Sequence, residues 1–375
     1  MAALAAPSSI PVARIDSGAL VSNYREARRL VGDSVTVMAM VKSDAYGHGV
    51  RGCAAALAAT GCSVFGVATK VEAAELAALL SRISPHARVL LFGGIVPGEA
   101  GEVVETGAEV VTQELEVVEA LAARARAVGR EVAVHVKIDT GMHRLGVGPG
   151  DAVAFVRRVA GLEGVRAAAI CSHFAQAESV TGEVTSGQLE SLLGADRALR
   201  EAGLGLPRHL ANSAAILTRK EAHLEMVRPG IMLYGLHPDA GLRGRAALRP
   251  VMRLQACVVR VADIETDQGV SYGHTYHTKA PTRVATVRCG YADGYPRQLG
   301  NLGTVLVEGR EAPVVGRVCM DHTMIDVTGI DGVRVGSVVT MWGGGICVEE
   351  MAARAGTIAY ELVTRVGKRV ERIME

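Results

Sequence analysis

The stretch "VTVMAMVKSDAYGHG", residues 35–49, decides how this chain is read. It begins as an apolar run rich in Val and Met and ends on Lys42, after which Ser, Asp, Gly and His follow at once. Such a run reads as a buried strand, and strands of parallel sheets are apolar along their whole length because both faces are covered. A lysine closing it stands where the packed core opens into a pocket. One reading is a charge snorkelling to solvent. The other is chemistry, since a buried amine gives up its charge readily and can act as a base or as a nucleophile toward a carbonyl.

Working outward, the runs "VTVMAMVK", "VFGVA", "RVLLFGG", "EVVTQ", "EVAVHVKID", "VRAAAICSHF", "RHLANS" and "MVRPGIMLYG" read as strands. Between them, 71–83, 115–128, 152–159 and 188–202 carry apolar residues at helical spacing, and a further helix is expected over 18–31. Strands alternating with helices over this length predict an α/β fold, an N-terminal (β/α)8 TIM barrel, with a doubly wound open sheet as the alternative. After Leu236 the pattern changes to Val-rich strands separated by Gly and Asp turns, with one helical stretch over 348–366 and a last strand in "KRVERIM". This predicts a barrel over residues 1–240, with residues 1–10 free to pack on a mainly-β C-terminal domain over 241–375. The linker falls in "HPDAGLRGRAALRP".

Composition narrows the function. The 375 residues carry 40 basic against 39 acidic side chains, so no footprint for nucleic acid or an anionic membrane is expected. No apolar run reaches a membrane span, and the start lacks the basic segment of a signal peptide. Seven scattered cysteines without a CxxC pair read as reduced thiols of a cytoplasmic protein, with no metal site.

In a TIM barrel the active site lies at the carboxyl ends of the strands. Those ends here carry Lys42, Lys137 with Asp139, His173, Asn212 with Ser213, and Arg228 with Gly230. Each alone has a structural explanation, but the convergence points to a site. Phosphate is often held by the loops after the last two strands. Those loops read "NSAA" and "RPGIM", offering a hydroxyl and a glycine that admits close backbone approach. A reactive lysine facing a phosphate site suits an aldehyde cofactor with a phosphate tail, and pyridoxal 5'-phosphate is the leading candidate. A sugar-phosphate aldolase shares this logic.

With those residues in view, "VKSDAYGHG" resembles the cofactor-lysine motif of the alanine racemases, pyridoxal-phosphate enzymes of fold type III. The resemblance continues through "KIDTGMHRLG", "SHFA", "HLANSAA", "VRPGIMLYG", "GVSYGHTY", "GYADGYPR" and "GRVCMDHTMIDVT", in the family's order and over almost the whole chain. It implies that Lys42 binds the cofactor covalently and serves as one of two bases. Tyr272 of the partner subunit would be the other, because racemisation needs a proton-transfer group on each face of the α-carbon.

The resemblance further implies that Tyr46, His173, Asn212, Ser213, Arg228, Gly230, Ile231 and Tyr360 bind the cofactor. Arg228 would face its pyridine nitrogen; arginine has donors only, so that nitrogen would stay unprotonated. Arg144 and the Met320 N–H would hold the substrate carboxylate. Lys137, in some relatives carbamylated, would orient Arg144, while Tyr291 and Asp321 would line the entrance. A head-to-tail homodimer with composite sites follows, with D-alanine for peptidoglycan as the product. A serine or broad-spectrum racemase would share every motif; a fold-type III decarboxylase and a pyridoxal-carrier barrel are more distant readings. His143 stands where the family commonly has glycine, and Cys289, before "GYADG", is a candidate for thiol sensitivity. Tyr276 is a candidate for tuning substrate width.

Overall fold

The expected first strand is two short ones, Thr36–Val37 and Ala39–Met40, in a computed structural model that describes residues 10–179 and 182–375. The break has a topological cause. Thr36–Val37 pairs with the last barrel strand, Met226–Arg228, whereas Ala39–Met40 pairs with the second, Val64–Val67. Between them run Arg88–Leu91, Glu109–Thr112, Val132–Lys137, Val165–Cys171 and Arg208–Asn212, every neighbour parallel. The split strand therefore closes the ring, and the chain is a TIM-type barrel followed by a mainly-β region.

Apolar stripes place the helices outside this ring. Ser17–Val31, Lys70–Ile83, Leu115–Ala127, Ala152–Ala160 and Glu183–Glu201 lie where helical periodicity predicts them, the last starting earlier than the pattern suggests. Val50–Ala59, Ala100–Thr106 and Ser213–Thr218 complete the alternation; they are short and Ala-rich or Val-rich, so their spacing carries little signal. No helix among the described residues is long and apolar enough to cross a membrane.

The β region is organised by Met252–Ile264, thirteen residues long. Its first half pairs antiparallel with Val338–Trp342 and its second half with Thr282–Val287, so one strand serves two sheets. Val12–Ile15 belongs here too, antiparallel to Met252–Gln255 and parallel to Glu371–Met374. From its first described strand the chain thus starts in the β region, builds the barrel, and returns. The expectation for residues 1–9 lies outside the described residues. The single helix expected over 348–366 is two, Val348–Arg354 and Ala359–Thr364, parted by a turn in which Gly356 has φ +71°. The linker is strapped down: buried Asn23 accepts from the Arg249 N–H and donates to the carbonyls of Leu233 and Arg249.

Candidate active site

Lys42 does not end a strand; it opens a tight turn, Lys42–Tyr46. Ser43, Asp44, Ala45 and Tyr46 all lie near φ +53°, a left-handed turn that costs non-glycine residues roughly 1–2 kcal/mol each. Local hydrogen bonds offset that strain. Glu72 Oε1 accepts from the Ser43 N–H at 2.7 Å, and Asp44 Oδ1 accepts from the Val50 N–H at 2.7 Å. Gly47, itself left-handed, lies against the Val363 carbonyl where a Cβ has no room, so helix Ala359–Thr364 of the β region seats directly on the turn. The Lys42 amine is pushed below its ordinary range, first by burial and then by the cations Arg144 and Arg228, with Glu72 opposing.

On the far side of this turn the Tyr46 ring is buried, stacked on Tyr234 at 4.9 Å and tilted against Tyr360 at 6.2 Å. The Tyr46 hydroxyl faces Gly230 where any side chain would collide with it. Ser213 Oγ accepts from the N–H of Gly230 at 2.8 Å and of Met232 at 3.4 Å. Asn212 Oδ1 caps helix Ser213–Thr218 by accepting from the Ala215 N–H, so its side chain serves the loop itself. Ile231 is fully buried in the turn that follows Gly230. Hydroxyls of Tyr46, Ser213 and Tyr360 and the Gly230 backbone share one end of the site. Burial raises the Tyr46 and Tyr360 hydroxyls above the usual phenol range, keeping both as neutral donors.

Across the barrel mouth, Arg228 is buried and both its terminal nitrogens are engaged. Nη2 donates to the carbonyls of Ser172 and Leu210 and to His173 Nδ1 at 3.2 Å, and Nη1 donates to His209 Nδ1 at 2.8 Å. Its guanidinium carbon lies 5.7 Å from the Phe92 ring centre. Burial lowers Arg228 to about 10, and burial beside Arg228 holds His173 and His209 neutral.

Lys137 ends its strand as expected, and burial brings its amine down to about 8. Asp139 is not spent on it: Oδ1 accepts from the N–H groups of Gly141, Met142 and His143, and Oδ2 pairs with His143 Nδ1 at 3.0 Å. This knots the loop that presents Arg144. His143 sits at φ +56°, the conformation that suits a glycine, and its bond to Asp139 compensates.

Tyr272, Met320 and Asp321 are gathered elsewhere. They line an open groove of the β region with Ser271, His274, Cys319 and His322, all drawn from residues 271–324. Tyr272 is 71% exposed and Met320 53%. Tyr291 joins them because its N–H donates to the Cys319 carbonyl, while Ala292 N–H donates to that of Met320. Asp321 is held by Arg369 at 2.7 Å, which also grips buried Asp293. Cys289 is fully buried with its thiol raised far above the usual range, so it is inert; the partly exposed thiols are Cys319, beside Ser271, and Cys347. Tyr276 packs on the small cluster of Val270, Val284 and Val315, a structural role.

Sequence reasoning missed Glu72, Tyr234, His209, His135 and Glu109. The Thr69-x-x-Glu72 capping box was a visible signal for the first. The others are polar or aromatic residues inside strand or turn runs, where periodicity reads only apolarity. The residues present fit pyridoxal phosphate: a depressed lysine amine, a hydroxyl-lined cradle that a Cβ at position 230 would fill, and a donor-only guanidinium across the mouth.

Two family models match the chain, the alanine racemase N-terminal domain over residues 15–238 and the C-terminal domain over residues 251–374. The chain is 42% identical to an alanine racemase of Desulfovibrio desulfuricans over 363 residues, covering 96% of this chain and 97% of that protein. It is similar in structure to alanine racemase of Clostridium difficile 630, with a TM-score of 0.92 at 31% identity over 98% of this chain and 96% of that one. It is likewise similar to alanine racemase from Bartonella henselae with covalently bound pyridoxal phosphate, with a TM-score of 0.86 at 28% identity over 98% of this chain and all of that one.

Proposed function

The chain belongs to the alanine racemase family of isomerases, and from that premise we propose that it interconverts L-alanine and D-alanine with pyridoxal phosphate, by a two-base mechanism, in a homodimer. Supporting this most is the meeting of a depressed Lys42 amine with a hydroxyl cradle and a buried arginine at one barrel mouth.

When bound, the cofactor supplies an electron-withdrawing ring conjugated to the substrate nitrogen, which acidifies the α-carbon proton. Lys42 holds it and, with its pKa lowered, takes or returns the proton on one face. Tyr272 of the partner subunit serves the other face; its exposure in the single chain suits a residue that a second copy covers. Tyr46, Ser213 and Tyr360 would hold the phosphate, with Gly230, whose N–H is given to Ser213 Oγ, leaving room for it. Arg228 can only donate, so it keeps the ring nitrogen unprotonated. That makes a weaker electron sink and disfavours transamination.

Arg144 pairs with the substrate carboxylate, aided by the Met320 N–H, while Tyr291 and Asp321 line the entrance. Lys137, partly neutral near pH 8, is competent to take up carbon dioxide, and the resulting carbamate would orient Arg144.

The deciding experiment follows the optical rotation of L-alanine with purified protein and pyridoxal phosphate. Decay to zero with no loss of amino acid is the expected result. An unchanged signal with cofactor bound would reject alanine as substrate, and L-serine run in parallel tests the broad-spectrum alternative. Growth of a D-alanine auxotroph carrying this chain checks the supply of D-alanine for peptidoglycan.

A further inference from the structure

Arg228 is a buried cation whose hydrogen-bond acceptors are two carbonyls and two imidazoles, with no carboxylate among them. Such a charge is costly unless something compensates it. Following its bonds inward leads to one carboxylate. Arg228 Nη1 meets His209 Nδ1 at 2.8 Å, His209 Nε2 meets His135 Nδ1 at 2.8 Å, and His135 Nε2 meets Glu109 Oε2 at 2.9 Å. His209 and His135 are almost wholly buried and Glu109 is 7% exposed. The chain crosses the barrel interior from the mouth to the start of strand Glu109–Thr112, where Arg88, half open to solvent, reaches Glu109 Oε1 at 3.1 Å.

Only one arrangement of protons satisfies these contacts with both imidazoles neutral. Arg228 has donors only, so His209 Nδ1 must accept and its proton must sit on Nε2. His135 Nδ1 then accepts from His209, and the His135 proton also sits on Nε2. Glu109 Oε2 must accept, and because Oε1 accepts from Arg88 the carboxyl carries no proton and is ionised. Reversing the chain would aim an N–H of His209 at an N–H of Arg228.

We propose that Glu109 is a positioning residue, the remote counter-anion of Arg228, which locks His135 and His209 as Nε2–H tautomers and so fixes the guanidinium that faces the cofactor ring. This extends the reading of Arg228 given above and rests on it. The surroundings sharpen the need for an anion. Lys137, Lys42 and Arg144 press on His173 and Lys137 presses also on His209, while the nearby Cys171 thiol, raised by burial, stays neutral and gives Arg228 no counter-charge. The Asp139 Oδ1 and Oδ2 atoms are taken by its own loop. At the outer end, Glu109 is kept ionised by His135 and Arg88 against the burial that opposes it.

The test uses the full-length chain with 15N-labelled histidine, with and without pyridoxal phosphate, signals being assigned by single substitution. His209 is expected to stay a neutral Nε2–H tautomer from about pH 6 to about pH 9, and His135 to carry a proton on Nε2 and none on Nδ1. A proton on Nδ1 of either, or titration of His209 in that window, would overturn the proposal; neither result depends on racemase activity.

Kinetics supply the second reading. Glu109→Gln keeps an acceptor for His135 but removes the charge. It should lower kcat by about tenfold or more, with KM for alanine within about twofold. It should also move the His135 Nε2–H proton signal upfield as the charge-assisted bond weakens. Arg88→Met, at the solvent end, should leave kcat within about twofold. Equal losses in both variants, or none in Glu109→Gln, would mean that Glu109 belongs to a surface ion pair and not to Arg228.

Discussion

The barrel mouth and the β-region groove are built in opposite ways. At the mouth, Arg228 has four acceptors, Ser213 accepts two backbone N–H groups, and the Tyr46 ring is buried against two other tyrosines. In the groove, Tyr272 and Met320 stand in solvent, large side chains with little to rest on. The mouth is therefore self-sufficient, able to hold its groups in place before any ligand arrives. The groove is unfinished. Within one chain its lining comes only from its own region; under the proposed dimer, the barrel it serves belongs to a second copy.

The largest expected effect breaks this comparison directly. Lys42→Ala and Tyr272→Phe chains should each be nearly inactive alone, since each lacks one of the two proton-transfer groups. If Tyr272 serves the partner's barrel, a mixed dimer regains one intact site, carrying Lys42 from one chain and Tyr272 from the other. Random pairing then restores about a quarter of the wild-type rate. Mixing the two purified variants under conditions of subunit exchange and assaying alanine racemisation checks this. If both residues act within one chain, mixing restores nothing.

A second prediction sharpens the account of the mouth, which is rich in hydrogen bonds yet crowds several cations together. Lys137 has a folded pKa of about 8, below its ordinary value of 10.5. The unfolded chain therefore binds more protons between those values, and stability should rise as pH climbs from about 8 to about 10.5. Below pH 8 the full penalty applies, up to about 3 kcal/mol. Lys137→Met should raise stability near pH 7 by up to that amount and flatten the rise, as read by chemical denaturation across the range. A carbamate on Lys137 would remove the penalty in the wild type, so added 13C-bicarbonate should narrow the difference and give a new carbonyl resonance.

Third in size is Glu72→Ala, which takes the acceptor from the N–H groups of Ser43, Ala68 and Thr69. A loss of about 1–3 kcal/mol is expected from those unmet donors and from release of the left-handed turn. The affinity for pyridoxal phosphate, measured by equilibrium dialysis, should fall with it, whereas the groove, distant in the fold, should be untouched.

How legible each half was in the sequence follows from what periodicity can see. The βα alternation is a burial pattern, and burial is what apolar residues report, so the barrel and its polar strand ends could be read directly. The resemblance rested on short motifs; those of the barrel strands gather at the mouth, whereas those carrying Tyr272, Met320 and Asp321 gather in the β-region groove. What could not be read is set by tertiary contacts. Four consecutive non-glycine residues at positive φ contradict local propensity, and only Glu72, Asp44 and the seat of Val363 on Gly47 explain them. The split of the first strand depends on ring closure, which no window of residues contains. Val12–Ile15 pairs with strands more than two hundred positions away, so it left no local trace. His135 and His209 lie in runs read as plain strands; their polarity was visible, but their partners were not.

The smallest expected effect lies on the loop that would join the two halves around substrate. His143 occupies φ +56°, which glycine would adopt without strain, yet its ring bonds Asp139 and so helps knot the loop presenting Arg144. His143→Gly removes a backbone cost of about 1 kcal/mol and loses an exposed hydrogen bond to Asp139 worth about the same or less. It also adds freedom to the unfolded chain. These terms nearly cancel, and the net change in stability should stay within about 1 kcal/mol by denaturant titration. The loop's own order is a different matter. Because the three N–H bonds to Asp139 Oδ1 remain available, Arg144 should keep its place and KM for alanine should move by no more than about threefold. A larger rise in KM at unchanged stability would show that the imidazole, and not the backbone knot, is what holds Arg144 toward the substrate.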